Sequence, residues 1–300
     1  MFGVTILGNN SAIPAYERHP TAQVVTLNDQ LFLIDCGEGT QMQLARYRVR
    51  RSKIHHILIS HLHGDHYFGL IGLVTSMGLL GRVQPLHIYA PAELEQIIAL
   101  QLKVADTVLP FELVFHGLSG EGRITETSKF SIDCFQTRHR IPCWGFVIRE
   151  KRSPRKINKE SIGDYEIPAA YYERLKNGDD YETRSGELIK NEWVTVPNRP
   201  EKSYAFCADT KYTEAIAEKT KQVTLLYHEA TYLKDLEERA DSRFHSTAEQ
   251  AAMIATKACA QKLLIGHFSS KYEKLDGFLE EATPIFPNTS LAIEGVTYLI

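Results

Sequence analysis

The run His61-Leu62-His63-Gly64-Asp65-His66 constrains this chain more than any other part of its sequence. Three imidazoles and a carboxylate within six residues are costly to desolvate unless something binds them together. Zinc takes imidazole nitrogen and carboxylate oxygen, and needs several such donors converging at bonding distance. The apolar segment Ile57-Leu58-Ile59 just before the run reads as a strand. A turn after a strand lets consecutive side chains point into one space, and Gly64 between the donors permits close backbone approach.

Three distant residues share that context. His139 follows the apolar stretch Phe130–Phe135, Asp209 follows Tyr204-Ala205-Phe206-Cys207, and His267 follows Leu263-Leu264-Ile265. In α/β sheets, ligands collect at the carboxyl ends of strands, so such residues are placed where one centre requires them. Taken singly, a His or Asp after a strand is far more often a hydrogen-bonded surface or loop residue than a ligand.

Strand-like apolar runs recur at Val4–Leu7, Leu31–Ile34, Ile57–Ile59, Leu86–Tyr89, Phe146–Ile148, Tyr204–Cys207, Val223–Tyr227 and Leu263–Ile265. Helical patterns over Thr40–Tyr47, Tyr67–Leu80 and Ala92–Leu102 lie between them, and Ser246-Thr247-Ala248-Glu249 has capping-box spacing before an alanine-rich helix. Strands mixed with helices predict α/β layers. Residues 150–200 are different, rich in Lys, Arg, Glu, Asn, Gly and Tyr and poor in periodic apolar residues. The stretch is too long for an ordinary connection, so it is read as a functional excursion or a partly ordered arm.

The chain is long enough, at 300 residues, for one large α/β domain or two modest ones. No stretch approaches the roughly 20 apolar residues of a membrane span, and the start at Met1-Phe2-Gly3-Val4 reads as a strand, not a signal peptide. Five cysteines without a Cys-x-x-Cys pair favour a reducing cytoplasm over a disulfide framework; Cys36 and Cys207 read as small buried hydrophobes. A net charge of −3 argues against a nucleic-acid partner, but the distribution does not. Arg46, Arg48, Arg50, Arg51 and Lys53 form one basic run, and Arg149, Lys151, Arg152, Arg155, Lys156 and Lys159 another. Such runs are either solvated faces or phosphate-binding patches.

His-x-His-x-Asp-His is the signature of the metallo-β-lactamase superfamily, and the chain resembles its tRNA 3′-processing branch, ribonuclease Z, nearly end to end. The matching segments are Leu7-Gly8 through Arg18, Asp35-Cys36-Gly37-Glu38-Gly39-Thr40-Gln41, and His139-Arg140-Ile141-Pro142-Cys143-Trp144-Gly145-Phe146. Cys207-Ala208-Asp209-Thr210, His228-Glu229-Ala230-Thr231, His245-Ser246-Thr247 and Gly266-His267-Phe268-Ser269-Ser270-Lys271-Tyr272 complete the set in family order. The arm lacks the usual Gly-Pro element; Ile167-Pro168-Ala169-Ala170-Tyr171-Tyr172 stands near its place.

The resemblance implies an αββα four-layer sandwich spanning residues 1–300, with a core of 1–149 and 201–300 and a tRNA-binding arm at 150–200. It implies two zinc ions, one held by His61, His63 and His139, the other by Asp65, His66 and His267, with Asp209 bridging. It further implies a cytoplasmic homodimer that removes the 3′ trailer from precursor tRNA. A hydroxide bridging the metals would attack phosphorus, leaving a 3′-hydroxyl on the tRNA and a 5′-phosphate on the trailer. Asp65 would orient that nucleophile, while His245, oriented by Glu229, would protonate the departing oxygen. Arg149, Lys151, Arg152, Arg155 and Lys156 would hold backbone phosphates; Tyr171, Tyr172 and Tyr181 either stack on bases or pack on one another. Two alternatives stand beside this reading: a hydrolase of a small phosphodiester or other ester on the same fold, and a non-catalytic RNA-binding protein.

Overall fold

The aliphatic and aromatic runs become strands buried on both faces, which requires cover on both sides. In the computed structural model, which describes residues 1–300, they assemble into two seven-stranded mixed sheets. The first runs in the order Thr297–Leu299, Phe2–Gly8, Ala22–Leu27, Gln30–Ile34, Ile54–Leu58, Leu86–Ala90, Leu113–Gly117. The second runs Thr289–Leu291, Lys262–Gly266, Leu225–Glu229, Ser203–Cys207, Trp144–Glu150, Phe130–Gln136, Gly122–Glu126. Strands joined by helices pair in parallel, as Gln30–Ile34 does with Ile54–Leu58 and Leu225–Glu229 with Lys262–Gly266.

The chain divides into two compact units. The larger comprises Met1–Thr125, Ile132–Ile148 and Lys202–Ile300. On one outer face, Val24, Leu33, Ile57 and Ile88 pack against the helices Leu70–Leu79 and Glu93–Val104 through Leu73, Val74, Leu94 and Ile98. On the other, Ala205, Leu226, Leu263 and Ile265 pack against Ala248–Lys257 and Asp276–Ala282 through Ala251, Ala252, Ala255 and Phe278. Side chains alternate along a strand, so the remaining buried set, including Phe32, Ile34, Phe146, Tyr204, Phe206 and Tyr227, fills the space between the sheets. The Tyr204 hydroxyl donates to Gln23 Oε1 across that space. The result is the expected αββα sandwich.

Local differences from the sequence reading have identifiable causes. The pattern over Tyr67–Leu80 splits into Gly64–Tyr67 and Leu70–Leu79. The Gly69 N–H is drawn off to the Cys36 carbonyl at 2.9 Å, and a Cβ on Gly69 would meet the Gly37 carbonyl oxygen at 2.2 Å. The capping box is Thr247 with Gln250, one residue later than the Ser246–Glu249 spacing suggests. Ser246 is committed elsewhere, its hydroxyl donating to the Thr210 carbonyl at 2.8 Å.

The smaller unit comprises Glu126–Ser131 and Arg149–Glu201. It is ordered around a small core of its own, Ile167, Leu175, Ile189 and Val194, with Tyr165, Tyr171 and Tyr181 packed against it. Tyr171 and Tyr181 meet edge to face at 4.8 Å, so these two tyrosines pack on one another. Its two-stranded ribbons are Arg155–Ile157 with Thr195–Pro197, and Tyr181–Glu182 with Leu188–Ile189. No helix of the chain is long and apolar enough to cross a membrane.

Gly266, just before His267, has no room for a side chain: a Cβ would sit 2.5 Å from the Tyr227 hydroxyl and 2.8 Å from its ring. Gly266→Ala is expected to cost about 1–3 kcal/mol of stability through overpacking, read as a lowered denaturant midpoint. An unchanged midpoint would show that Tyr227 is free to move.

Candidate metal centre

Every candidate donor stands just past a strand or at its end, at one edge of the sandwich. His61, His63, Asp65 and His66 follow Ile54–Leu58, His139 follows Phe130–Gln136, Asp209 follows Ser203–Cys207 and His267 follows Lys262–Gly266. The structure brings all seven together in two sets. His61, His63, His139 and Asp209 offer atoms within 4.8 Å of one another, and so do Asp65, His66 and His267. Asp209 faces both. Its Oδ2 lies 3.8 Å from His61 Nε2 and 3.9 Å from His139 Nε2, while its Oδ1 lies 3.5 Å from His66 Nε2 and 3.3 Å from His267 Nε2. Asp65 Oδ2 closes the second set, 3.5 Å from both His66 Nε2 and His267 Nε2.

Behind the imidazoles lie two carboxylates wired in the same way. Asp35 accepts from His66 Nδ1 at 2.8 Å and from the Ser60 hydroxyl at 2.9 Å, and Ser60 Oγ in turn accepts from His61 Nδ1 at 3.0 Å. Glu229 accepts from His245 Nδ1 at 2.9 Å and from the Thr231 hydroxyl at 2.8 Å, and Thr231 Oγ1 accepts from His267 Nδ1 at 3.0 Å. The Phe244 carbonyl accepts from His139 Nδ1 at 3.0 Å. For His61, His66, His139 and His267 the bond occupies Nδ1 and turns Nε2 toward the centre, as metal-ligating histidines require. His63 is turned the other way, with Nδ1 inward, 3.0 Å from His61 Nε2, and Nε2 3.1 Å from an Arg140 guanidinium nitrogen.

Buried polar atoms are almost always paired, yet His66 Nε2, His267 Nε2 and Asp209 Oδ1 are buried without a hydrogen-bond partner. Nitrogen and carboxylate donors left bare in this way fit divalent metal ions. Burial, followed by the charge of neighbouring imidazoles, drives the His61 pKa well below its ordinary value and the His63 pKa down to about 4. Both are therefore neutral and able to bind metal. Burial opposes charge on His66 as well, but Asp209, Asp65 and Asp35 together outweigh it and raise its pKa well above the ordinary value. Against their own desolvation, Asp65 is held low by His66 and His267, and Asp209 by the same two histidines.

Glu229, which ends the strand Leu225–Glu229, also accepts the Thr210, Thr231 and Ser246 backbone N–H groups. Its carboxylate and hydrogen bond overcome burial and raise the His245 pKa to about 9. The centre opens into a cleft of about 1030 Å³ lined by Ser11, Ala12, Phe68, Tyr232 and Phe244, and by the cations Arg140, Arg239, Arg243 and Lys271.

In the smaller unit, Lys151 pairs with Glu126, Arg152 with Glu150, and Arg155 donates to Thr195 Oγ1 at 2.6 Å. Of the five arm cations singled out from sequence, Lys156 is the one exposed to solvent, and the other four, Arg149 among them, are half-buried. The sequence reading assigned no role to Asp35, Ser60, Thr231, Arg140 or Phe244. Asp35, an acid ending an apolar strand beside the one that delivers His61, carried a signal for its role.

Residues 2–153, just over half of the chain, match the family model described as "Anti-Pycsar protein Apyc1". That match stops before Asp209, Glu229, His245 and His267. A relative from Bacteroides thetaiotaomicron named "Ribonuclease Z" spans them, 44% identical over 100% of this chain and 95% of its own length. The chain belongs to the ribonuclease Z family. It is thus a hydrolase of the endoribonuclease type. Among solved structures, human tRNase Z, short form, superposes with a TM-score of 0.73 at 24% identity over 99% of both chains. The metallo-β-lactamase fold protein YhfI from Bacillus subtilis does so with 0.69 at 20% identity, over 99% of this chain and 98% of that one. These two establish the fold, the metallo-β-lactamase sandwich.

Because His66 holds a proton when no metal competes for it, metal uptake must displace that proton. Calorimetric titration of zinc into chelator-stripped protein should therefore show heats that depend on buffer ionisation enthalpy, with affinity falling as pH is lowered. Buffer-independent heats would contradict the protonation of His66.

Proposed function

We propose that this ribonuclease Z family member removes the 3′ trailer from tRNA precursors, using two zinc ions. The observation that carries the reading is the pair of donor sets sharing Asp209, with the His245–Glu229 hydrogen bond beside them. His61, His63 and His139 would hold one ion, Asp65, His66 and His267 the other, with Asp209 shared. When bound, two such ions supply Lewis acidity toward a phosphate oxygen and acidify a water toward a pKa of roughly 7.

The chain's own residues do the rest. Asp65, fixed by the Ala12 N–H at 2.8 Å from its Oδ2, orients the attacking water and takes up its proton. The water oxygen bonds to phosphorus as the bond from phosphorus to the upstream 3′ oxygen breaks. His245, with Nδ1 committed to Glu229, presents Nε2 and gives its proton to that departing oxygen. The products are a 3′-hydroxyl on the tRNA and a 5′-phosphate on the trailer. Arg140, Arg239, Arg243 and Lys271 supply the positive lining that a polyanion needs.

The smaller unit serves as the tRNA-gripping arm, with Lys156 its exposed phosphate contact. We assign the enzyme to the cytoplasm as a homodimer. Five unpaired cysteines support the first. The second rests on the resemblance to the family alone.

Zinc-loaded enzyme incubated with a precursor tRNA carrying a 3′ trailer should yield those two ends, and chelator should abolish the cut; an intact precursor would overturn the assignment. His63→Ala should lose metal and activity together. His245→Ala should keep its zinc and lose about 10²–10⁴-fold in turnover. Since His245 acts as the protonated form, turnover should fall as pH rises through about 9. Glu229→Gln removes the carboxylate that raises this pKa, so the alkaline limb should move to lower pH; an unmoved limb would separate the two residues. Lys156→Ala should weaken RNA binding alike for all sequences and reduce the salt slope by about one.

A further inference from the structure

Phe244 occupies the left-handed backbone region, at φ 60°, which aromatic residues rarely adopt. The conformation itself has a clear purpose, because it aims the Phe244 carbonyl at His139 Nδ1, 3.0 Å away. Glycine would aim that carbonyl equally well and without strain. The ring therefore needs a reason of its own, and strain retained at a functional site points to one.

The half-buried ring lines the cleft beside Arg243. The Lys211 ammonium stands over one face of the ring, 5.0 Å from its centroid, and is itself tied to Asp241 at 2.8 Å. The ring lies 6.3 Å from that of His139, next to where the reacting phosphate must sit. An aromatic ring backed by a cation on one face, at the edge of a phosphate site, can stack a base on its other face, as proteins that hold single-stranded nucleic acid do.

We propose that Phe244 is a specificity-determining residue: the base of a nucleotide flanking the scissile phosphate stacks on its ring. This rests on the reading that RNA is the substrate.

The test pairs protein variants with RNA lacking one base. Zinc-loaded wild-type enzyme, Phe244→Gly and Phe244→Tyr are assayed on a precursor tRNA, and on versions abasic immediately 5′ or 3′ of the cut. Stacking is expected to contribute about tenfold in kcat/KM. Wild type should lose that factor on one abasic RNA. Phe244→Gly, which keeps the backbone geometry, should lose it on the intact RNA and lose nothing further on that abasic one, and Phe244→Tyr should behave as wild type. An equal abasic penalty in wild type and Phe244→Gly at both positions would overturn the inference, because a purely structural role for the ring predicts additive losses. Failure of the wild type to cut the intact precursor would refute the RNA reading, and the inference with it.

Discussion

Asp209 is the residue around which the larger unit is organised. A carboxylate buried this deeply is expensive unless opposite charge surrounds it, and its two oxygens face two separate groups of imidazoles. That arrangement depends on strand register. Cys207 pairs with His228 and His228 with Ile265, while Glu229 pairs with Gly266. Three parallel strands therefore run in step, leaving Asp209 and His267 at one level with Glu229 one residue below it. A slip of one residue would turn every side chain to the opposite face and remove both the centre and the packing beneath it.

Strain gathers where the sandwich meets the centre. Asp35, Phe244 and His267 all adopt positive φ, at 56°, 60° and 63°, a conformation disfavoured for residues with a side chain. Each is held by bonds the fold supplies. The Asp35 N–H reaches the Leu58 carbonyl at 2.8 Å, and the Phe244 N–H reaches the Asp241 carbonyl at 3.1 Å. Beyond His267, the Phe268 N–H donates to the Asn9 carbonyl at 2.9 Å. The cores on either side of the sheets make this possible, since a loosely packed scaffold would relax the strain and let the donors drift apart.

The sequence exposes some of this and conceals the rest for physical reasons. The six-residue histidine run is legible because its donors are neighbours in the chain. Asp209, His139 and His267 are legible only through the motifs around them, because nothing periodic marks a residue that waits at a strand end for partners far away. Asp35 and Thr231 lie inside recognised motifs, yet their work is to hold histidines, at separations of 31 and 36 residues for His66 and His267, so no local pattern reveals it. The second basic run misleads for the same reason. Glu126, 25 residues distant from Lys151, and Glu150, inside the run itself, both tie up cations that read as free. The small core of residues 149–201 escapes notice because four buried aliphatic residues spread over that length show no period.

Charge around the centre also resolves the conflict between a net charge of −3 and a polyanionic substrate. On the two-zinc reading, the ions would bring four positive charges and Asp65 and Asp209 two negative ones, with the histidine ligands neutral. The excess would sit in a cleft whose lining carries Arg140, Arg239, Arg243 and Lys271 against one further acid, Glu38. A low-dielectric cleft in which one sign of charge predominates focuses its field outward, whatever the total over the surface. Acidic residues elsewhere, many already paired with lysine as Glu121 is with Lys219, barely weaken that field beyond a Debye length of about 8 Å. Attraction of the substrate is therefore a local property of the centre and its rim, and it depends on the same carboxylate pair that gathers the metal donors.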